Sequence, residues 1–349
     1  MRIGIGRSSK RSAQLQVQSM LRQRLRGLAS ASRSKLAVIM NKGRVDFDGA
    51  LSFERLRQAG VQVRAFDDDY DGPSDIVERA KGASVLITKE LPICAESISR
   101  MPDSVELICE AGTGYNNVDL RAAADRGITV CNIPEYSTDA MAQLVITGIL
   151  NFSSGMIHQQ RLLARGDTSN FASLRLVHTH FELPGKVLGL IGGNGAIGTR
   201  VTEIATCLGM EVLSFSRSSS LGLDELLRRS DFLSVHCPLK AETRGLIDTQ
   251  KLALMKPSAF LINTARGAII NEADLLAALD AGKLAGAALD VQYPEPPPVG
   301  SPLYTHEKVV LTPHIGWKRI ETRQRLVDMV SDNVRAYMSG APTNVVSVP

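Results

Sequence analysis

The sequence predicts an α/β protein of two parallel-sheet domains, and three observations carry that expectation. From residue 185 onward, short apolar runs alternate with stretches of helical periodicity. Residues 36–130 repeat the alternation on a smaller scale. A cluster of glycines stands between the first apolar run of the larger set and the helix after it. Strand, helix and strand in succession build parallel sheets with helices on both faces.

Along the chain, the smaller set reads as strands at Leu36–Met40, Val61–Ala65, Val85–Thr88, Val105–Cys109 and Ile128–Val130. Helical stretches fall near Phe53–Ala59 and Asp119–Arg126. Asp139–Phe152 is long, apolar and helical enough to cross between domains. The larger set has buried strands at Val187–Ile191, Glu211–Phe215, Phe232–His236, Ala259–Asn263, Ala285–Val291 and Val309–Thr312. Between them, Val201, Ile204, Ala205 and Leu208 mark one helical face, and Leu275, Leu276 and Leu279 a shorter one. Ile320–Ser339 places Leu326, Met329, Val330 and Val334 at helical spacing and could return to the first domain. The expected division is a basic extension over 1–34, a discontinuous substrate domain over 35–135 plus 318–349, and a cofactor domain over 136–317.

Charge separates these parts. The chain of 349 residues has 40 Lys+Arg against 36 Asp+Glu, a formal net charge of +4. Residues 1–45 hold 11 of the basic residues and no acid, leaving a body at −7. A mildly acidic body is not the footprint of a nucleic-acid-binding face. Val17, Leu21, Leu25 and Leu28 recur at helical spacing in an Arg- and Ser-rich strip, the pattern of an organelle transit peptide for mitochondrion or plastid. A disordered basic extension, or a start codon placed too far upstream, would look the same and leave the protein cytoplasmic. No run approaches the roughly 18–20 apolar residues of a membrane span. Cys94, Cys109, Cys131, Cys207 and Cys237 are scattered without a C-x-x-C pair, which favours reduced thiols over disulfides or zinc. His178-Thr-His180 could share one face of a strand, but with no third ligand in view no metal is expected.

Lys186–Ile191 runs into Gly192-Gly-Asn-Gly-Ala-Ile-Gly198, where Gly193, Gly195 and Gly198 supply G-x-G-x-x-G. In that pattern the first glycine makes the tight turn and the second lets backbone amides approach a pyrophosphate. The third lets helix and strand pack closely, with the anion at the helix N-terminus. Its place between strand and helix predicts a Rossmann-type doubly wound sheet that binds NAD(P), beside a smaller flavodoxin-like α/β domain. About 20 residues on, where a carboxylate would bind the adenosine ribose, stand Ser216 and Arg217. Ser216 removes the repulsion of a 2′-phosphate and Arg217 offers it a charge, so NADP is expected over NAD. A solvated Arg217 in an NAD enzyme is the bland alternative.

Ligands of open α/β sheets bind beyond the carboxyl ends of the strands. Arg266, Glu295 and His314 each fall just after such an end. Singly they are unremarkable. Together beside a nicotinamide they match 2-keto acid reduction: a guanidinium for the carboxylate and ketone, an imidazolium to protonate the alkoxide, and a carboxylate to orient the imidazole.

Ile262-Asn-Thr-Ala-Arg-Gly267, Leu289-Asp-Val-Gln-Tyr-Pro-Glu-Pro296 and Thr312-Pro-His-Ile-Gly-Trp317 resemble signatures of the D-isomer-specific 2-hydroxyacid dehydrogenases. So do Val235–Leu239, Met255–Pro257, Ala111–Asp119 and Cys131–Pro134, and the likeness spans roughly 36–345. The resemblance implies Arg266 as substrate anchor, His314 as acid/base and Glu295 as its partner. It also implies that Asp290 holds the nicotinamide carboxamide and that the backbone near Gly112 and Thr113 faces the substrate carboxylate. Ala196 and Ile197 would lie on the pyrophosphate, with Pro238, Thr243 and Ala265 lining the cofactor. The double glycine makes the turn one residue longer than the commonest family form, and Gln143 replaces a frequent acid. Trp317 resembles the hydroxypyruvate/glyoxylate reductase subgroup, as a substrate contact or as interdomain packing. Glu295 argues against formate dehydrogenases, which use Gln, and the short C-terminus leaves no room for a regulatory domain. The expected protein is a homodimeric reductase of small 2-keto acids. The rival is a dinucleotide-sensing corepressor of the same fold.

Overall fold

The computed structural model describes residues 35–68, 70–172 and 180–348. The basic strip and His178 therefore lie outside the described residues. The first sheet is parallel, of strands β1 (Leu36–Ile39), β2 (Gln62–Ala65), β3 (Val85–Thr88), β4 (Leu107–Glu110) and β5 (Thr129–Cys131), in the order β2-β1-β3-β4-β5. That is the flavodoxin-like order. The second contains β6 (Val187–Ile191), β7 (Glu211–Phe215), β8 (Phe232–Val235), β9 (Phe260–Asn263), β10 (Gly286–Leu289) and β11 (Val309–Leu311), ordered β11-β10-β9-β8-β6-β7. Strand order reverses at β6, so the crevice where ligands collect lies at the glycine turn that follows it.

Burial explains which strands are continuous apolar runs. β3, β4, β8 and β10 are buried at every position, as central strands covered on both faces must be. The sequence reads Glu211–Phe215 as buried as well, but β7 is an edge strand and only half-buried, with exposed Glu211 at its start. The run at 105–109 also shifts. Val105 closes a turn by donating to the Pro102 carbonyl, and the ladder begins at Leu107. At the other end, β10 stops at Leu289, and the Asp290 N–H makes the last bond to β9, on the Asn263 carbonyl (3.0 Å).

Two helices connect the sheets. Thr138–Ser154 packs Ala142, Val145, Ile146 and Ile149 against Leu188, Leu190 and Ile262, on one face of the second sheet. It ends where Gly155 takes the left-handed conformation (φ 61°) that glycine adopts without strain. Ile320–Met338 returns to the first sheet and packs Leu326, Val327, Val330 and Val334 against Leu107 and Cys109. No single helix among the described residues is long and apolar enough to cross a membrane.

The returning helix is pinned by a buried cation. Arg323 is 2% exposed and donates to the Val45 carbonyl (3.0 Å) and to both oxygens of Asp48 (2.8 and 2.6 Å). Its guanidinium also lies 4.1 Å from the Phe47 ring centroid. The hydrogen bonds from Arg323 hold the Asp48 carboxyl at about 2, below its usual 3.8. A carboxylate depressed in the fold stabilises it above the unfolded pKa and loses that contribution as pH falls through the folded one. Arg323→Met should therefore cost about 2–3 kcal/mol in urea unfolding at neutral pH, from lost packing and an orphaned Val45 carbonyl. It should also flatten the loss of stability between about pH 4 and 2. A variant as stable as wild type would show that the helix docks without this contact.

Candidate active site

The glycine turn after β6 is shaped by close contacts. Gly192 has φ +82°, and a Cβ there would lie 2.9 Å from the Cys237 nitrogen. The sequence assigns the tight turn to Gly193. The left-handed residue is Gly192 instead, because the extra residue moves the turn back by one. A Cβ on Gly193 would strike Ser214 and Leu190, and one on Gly198 would strike the Gly193 backbone. Gly195 differs, since its nearest neighbour would be the Gly192 carbonyl at 3.7 Å, leaving that side open. Gly195 caps the helix Ala196–Cys207, whose first N–H groups point to the open side. Those features fit a dinucleotide pyrophosphate beside Ala196 and Ile197.

The ribose end is polar. Asn194 Nδ2 donates to Ser216 Oγ (3.2 Å), and Ser216 presents a hydroxyl where an acid would exclude a phosphate. Arg217 has 74% of its side chain exposed and pairs with Glu242. Further along the same rim, Thr243 Oγ1 donates to the Pro238 carbonyl (2.7 Å) and accepts from the Lys240 N–H (2.7 Å). The Ala265 N–H donates to Asn263 Oδ1 (3.0 Å), fixing the backbone that leads to Arg266.

Arg266, Glu295 and His314 converge on the carboxyl ends of β9, β10 and β11. His314 Nδ1 lies 2.7 Å from Glu295 Oε1, which leaves Nε2 for a substrate. The His314 backbone is left-handed, with φ 50°, a conformation that costs a non-glycine residue on the order of 1 kcal/mol or more. Asp290 holds it there. It is 2% exposed, and its Oδ1 accepts from Thr312 Oγ1 (2.6 Å) and the Ile315 N–H (2.8 Å) while Oδ2 accepts from the Gly316 N–H (3.0 Å). The His314 N–H in turn donates to the Asp290 carbonyl (2.9 Å). Burial pushes the Asp290 carboxyl up, partly offset by those three donors. Both oxygens thus already shape the His314 turn, a role the sequence does not suggest.

The first sheet forms the opposite wall. A Cβ on Gly114 would overlap the Arg266 guanidinium, so this glycine lets the arginine lie flat on the loop after β4. The Arg266 side chain also donates to its neighbour, the Ala265 carbonyl (2.7 Å). Gly112 and Thr113 are fixed by the Ile133 N–H on the Gly112 carbonyl (2.9 Å) and Thr113 Oγ1 on the Ile133 carbonyl (2.9 Å). Trp317 is 4% exposed and belongs to the core of this domain, with the Lys89 ammonium 4.1 Å from its ring centroid.

Sequence reasoning missed Lys89, Glu90, Glu110 and Tyr136. Burial works against the Lys89 ammonium, but Tyr136, Glu90 and Glu110 around it raise its pKa overall. Burial alone would raise the Glu90 carboxyl, yet Lys89, His314 and Arg266 together hold it at about 2. The signal was available. Lys89 and Glu90 follow the carboxyl end of β3, as Arg266 follows that of β9.

The NAD binding domain of the D-isomer specific 2-hydroxyacid dehydrogenases matches residues 146–316. A hydroxypyruvate reductase of Blautia hydrogenotrophica is 34% identical over 319 residues, covering 88% of this chain and 97% of that protein. A glycerate dehydrogenase of Methylorubrum extorquens is 36% identical over 280 residues, 78% of this chain and 88% of its own. The crystal structure of the TT0316 protein from Thermus thermophilus superposes with a TM-score of 0.78 at 32% identity, over 89% of this chain and 99% of that one. The chain belongs to the D-isomer specific 2-hydroxyacid dehydrogenase family. It is an enzyme of NAD(P)-linked 2-hydroxyacid reduction, acting on the CH–OH group of its donor. The corepressor alternative finds no support among these relatives.

Gly114→Ala should displace the Arg266 guanidinium while leaving the fold intact, since the clash is with the end of a flexible side chain. An ångström of misplacement at a substrate-binding group costs about a hundredfold in rate. A drop of that order in kcat/KM with an unchanged melting temperature is expected. Unchanged turnover would show that the position of Arg266 is immaterial.

Proposed function

We propose that the enzyme reduces hydroxypyruvate and glyoxylate with NADPH preferred over NADH, Arg266, His314 and Glu295 being its working side chains. The observation that carries the reading is the 2.7 Å His314–Glu295 contact in the cleft whose other wall receives Arg266. Arg266 binds the keto acid carboxylate and draws electron density from the ketone oxygen. His314, oriented through Nδ1 by Glu295, donates a proton from Nε2 to the alkoxide as it forms. The bound nicotinamide supplies the hydride. In the oxidative direction the same imidazole accepts the hydroxyl proton. Gly112 and Thr113 present backbone to the substrate carboxylate, and Trp317 acts by fixing Lys89.

The names of the relatives support the substrate class, and Trp317 matches the subgroup that the sequence resembles. Ser216 and exposed Arg217 support NADPH, although a 2′-phosphate must draw Arg217 from Glu242. Leu150, Met156, Leu163 and Phe171, exposed along consecutive helices, support the packing of a second copy there. The composition of residues 1–34 supports targeting to an organelle.

The direct test is a panel of 2-keto acids assayed with each cofactor. Arg266→Ala should lower kcat and raise KM together, because one guanidinium serves binding and polarisation; undiminished values would remove it from the mechanism. Glu295→Gln keeps an acceptor but loses the charge, and should reduce kcat about ten- to a hundredfold with little change in KM. For Arg217→Ala, kcat/KM should fall about tenfold with NADPH and stay level with NADH. An equal fall with both would refute its role at the 2′-phosphate.

A further inference from the structure

The loops after β3 and β4 bring charges to the cleft that the proposed function leaves unused. Glu110, the last residue of β4, is fully buried and accepts from Thr88 Oγ1 (2.6 Å), Asn117 Nδ2 (2.9 Å) and the Glu90 N–H (2.9 Å). Glu90 is held with φ 57°, another left-handed non-glycine residue. Its Oε1 then meets the Lys89 ammonium at 2.7 Å. Lys89 is itself 3% exposed, lies over Trp317, and would sit 3.4 Å from a Cβ on Gly112. The lysine is immobilised, while 38% of the Glu90 side chain stays exposed. The charges of Lys89, His314 and Arg266 together hold its carboxyl low despite its burial.

A keto acid held by Arg266 with its ketone toward His314 has one substituent left to place. Gly112 lies between the Lys89 ammonium and Gly114, against which Arg266 rests, so the Glu90 carboxylate paired with Lys89 stands on the same wall as the Arg266 guanidinium. A fixed carboxylate accepts a hydrogen bond from a hydroxyl, gives nothing to a methyl group and repels an anion. We propose that Glu90 is a specificity-determining residue, which selects 2-keto acids whose third carbon bears a hydrogen-bond donor and rejects those with a second negative charge. Lys89 and Glu110 are its positioning residues. The inference rests on the proposed 2-keto acid reduction and names the substrate feature that the site reads.

The test measures kcat/KM for glyoxylate, pyruvate, hydroxypyruvate and oxaloacetate in wild type and in Glu90→Gln, with folding checked by thermal melting. Wild type should prefer hydroxypyruvate to pyruvate by about tenfold or more, the worth of a hydrogen bond to a charged group. In Glu90→Gln, the ratio of oxaloacetate to hydroxypyruvate should rise about ten- to a hundredfold. Glyoxylate, which has no third carbon, should change little. Should Glu90→Gln fail to fold, Glu90→Asn carries the same comparison, because Asn tolerates the left-handed backbone. Unchanged ratios in a folded variant, or a parallel loss on glyoxylate, overturn the inference alone and reduce Glu90 to a counter-ion for Lys89. A wild-type enzyme that reduces none of the four overturns the proposed function and the inference with it.

Discussion

One buried carboxylate holds the active cleft together. Asp290 leaves the β10 ladder one residue before Val291 and receives a hydroxyl and two backbone N–H groups from the turn after β11. Those bonds force His314 into the left-handed region, and from there its Nδ1 reaches Glu295. The same turn delivers Trp317, three residues on, into the core of the other domain. Trp317 supports Lys89, and Lys89 ties down Glu90. The His314 imidazole and the opposite wall are thus set by the same few hydrogen bonds. Burying a carboxylate costs free energy unless every oxygen is paired, and here three donors offset that cost.

The cleft exists because two parallel sheets direct their carboxyl ends at each other. Each sheet contributes loops whose conformations only local constraints allow. Gly114 has no side chain, so Arg266 can rest on the loop after β4. Gly316 is equally confined, since a Cβ there would press within 3.0 Å of Asp290 Oδ2. Gly114 thus stands where a charged side chain crosses from one domain to the other, and Gly316 where the Asp290 carboxylate packs within its own domain. A Cβ at Gly114 would push aside the end of the Arg266 side chain, whereas one at Gly316 would also press on the buried Met141.

Much of this was legible in the sequence, and the boundary of legibility is physical. Alternating apolar runs located the strands because central parallel strands are apolar at every position, as in β3 and β8. The edge strand β7 was overrated, since its composition differs little from that of a buried strand and only its neighbours expose it. Arg266, Glu295 and His314 could be found because each follows a strand end and matches a needed chemistry. The contact between His314 and Glu295 is a matter of a turn whose shape depends on Asp290, and no spacing rule encodes that. Lys89 and Glu110 were invisible for a related reason. A buried lysine and a buried glutamate look like surface residues until the fold shows that they neutralise each other's surroundings.

Charge pairing then explains how an acidic body can bind anions at chosen points. Arg217 is matched by Glu242, Lys89 by Glu90 and His314 by Glu295. An anion approaching any of these three meets a carboxylate already in place, and must either displace it or be turned away. Arg266 is different. It donates to the Ala265 carbonyl and lies against Gly114, and no carboxylate among the described residues stands within ion-pair distance. A small carboxylate therefore gains more at Arg266 than at Arg217 or Lys89, where it would have to break an existing pair. On the proposed function, the orientation of a substrate follows from the same arrangement: its carboxylate goes to Arg266, which has no ion-pair partner among the described residues, and its other end is left facing Glu90.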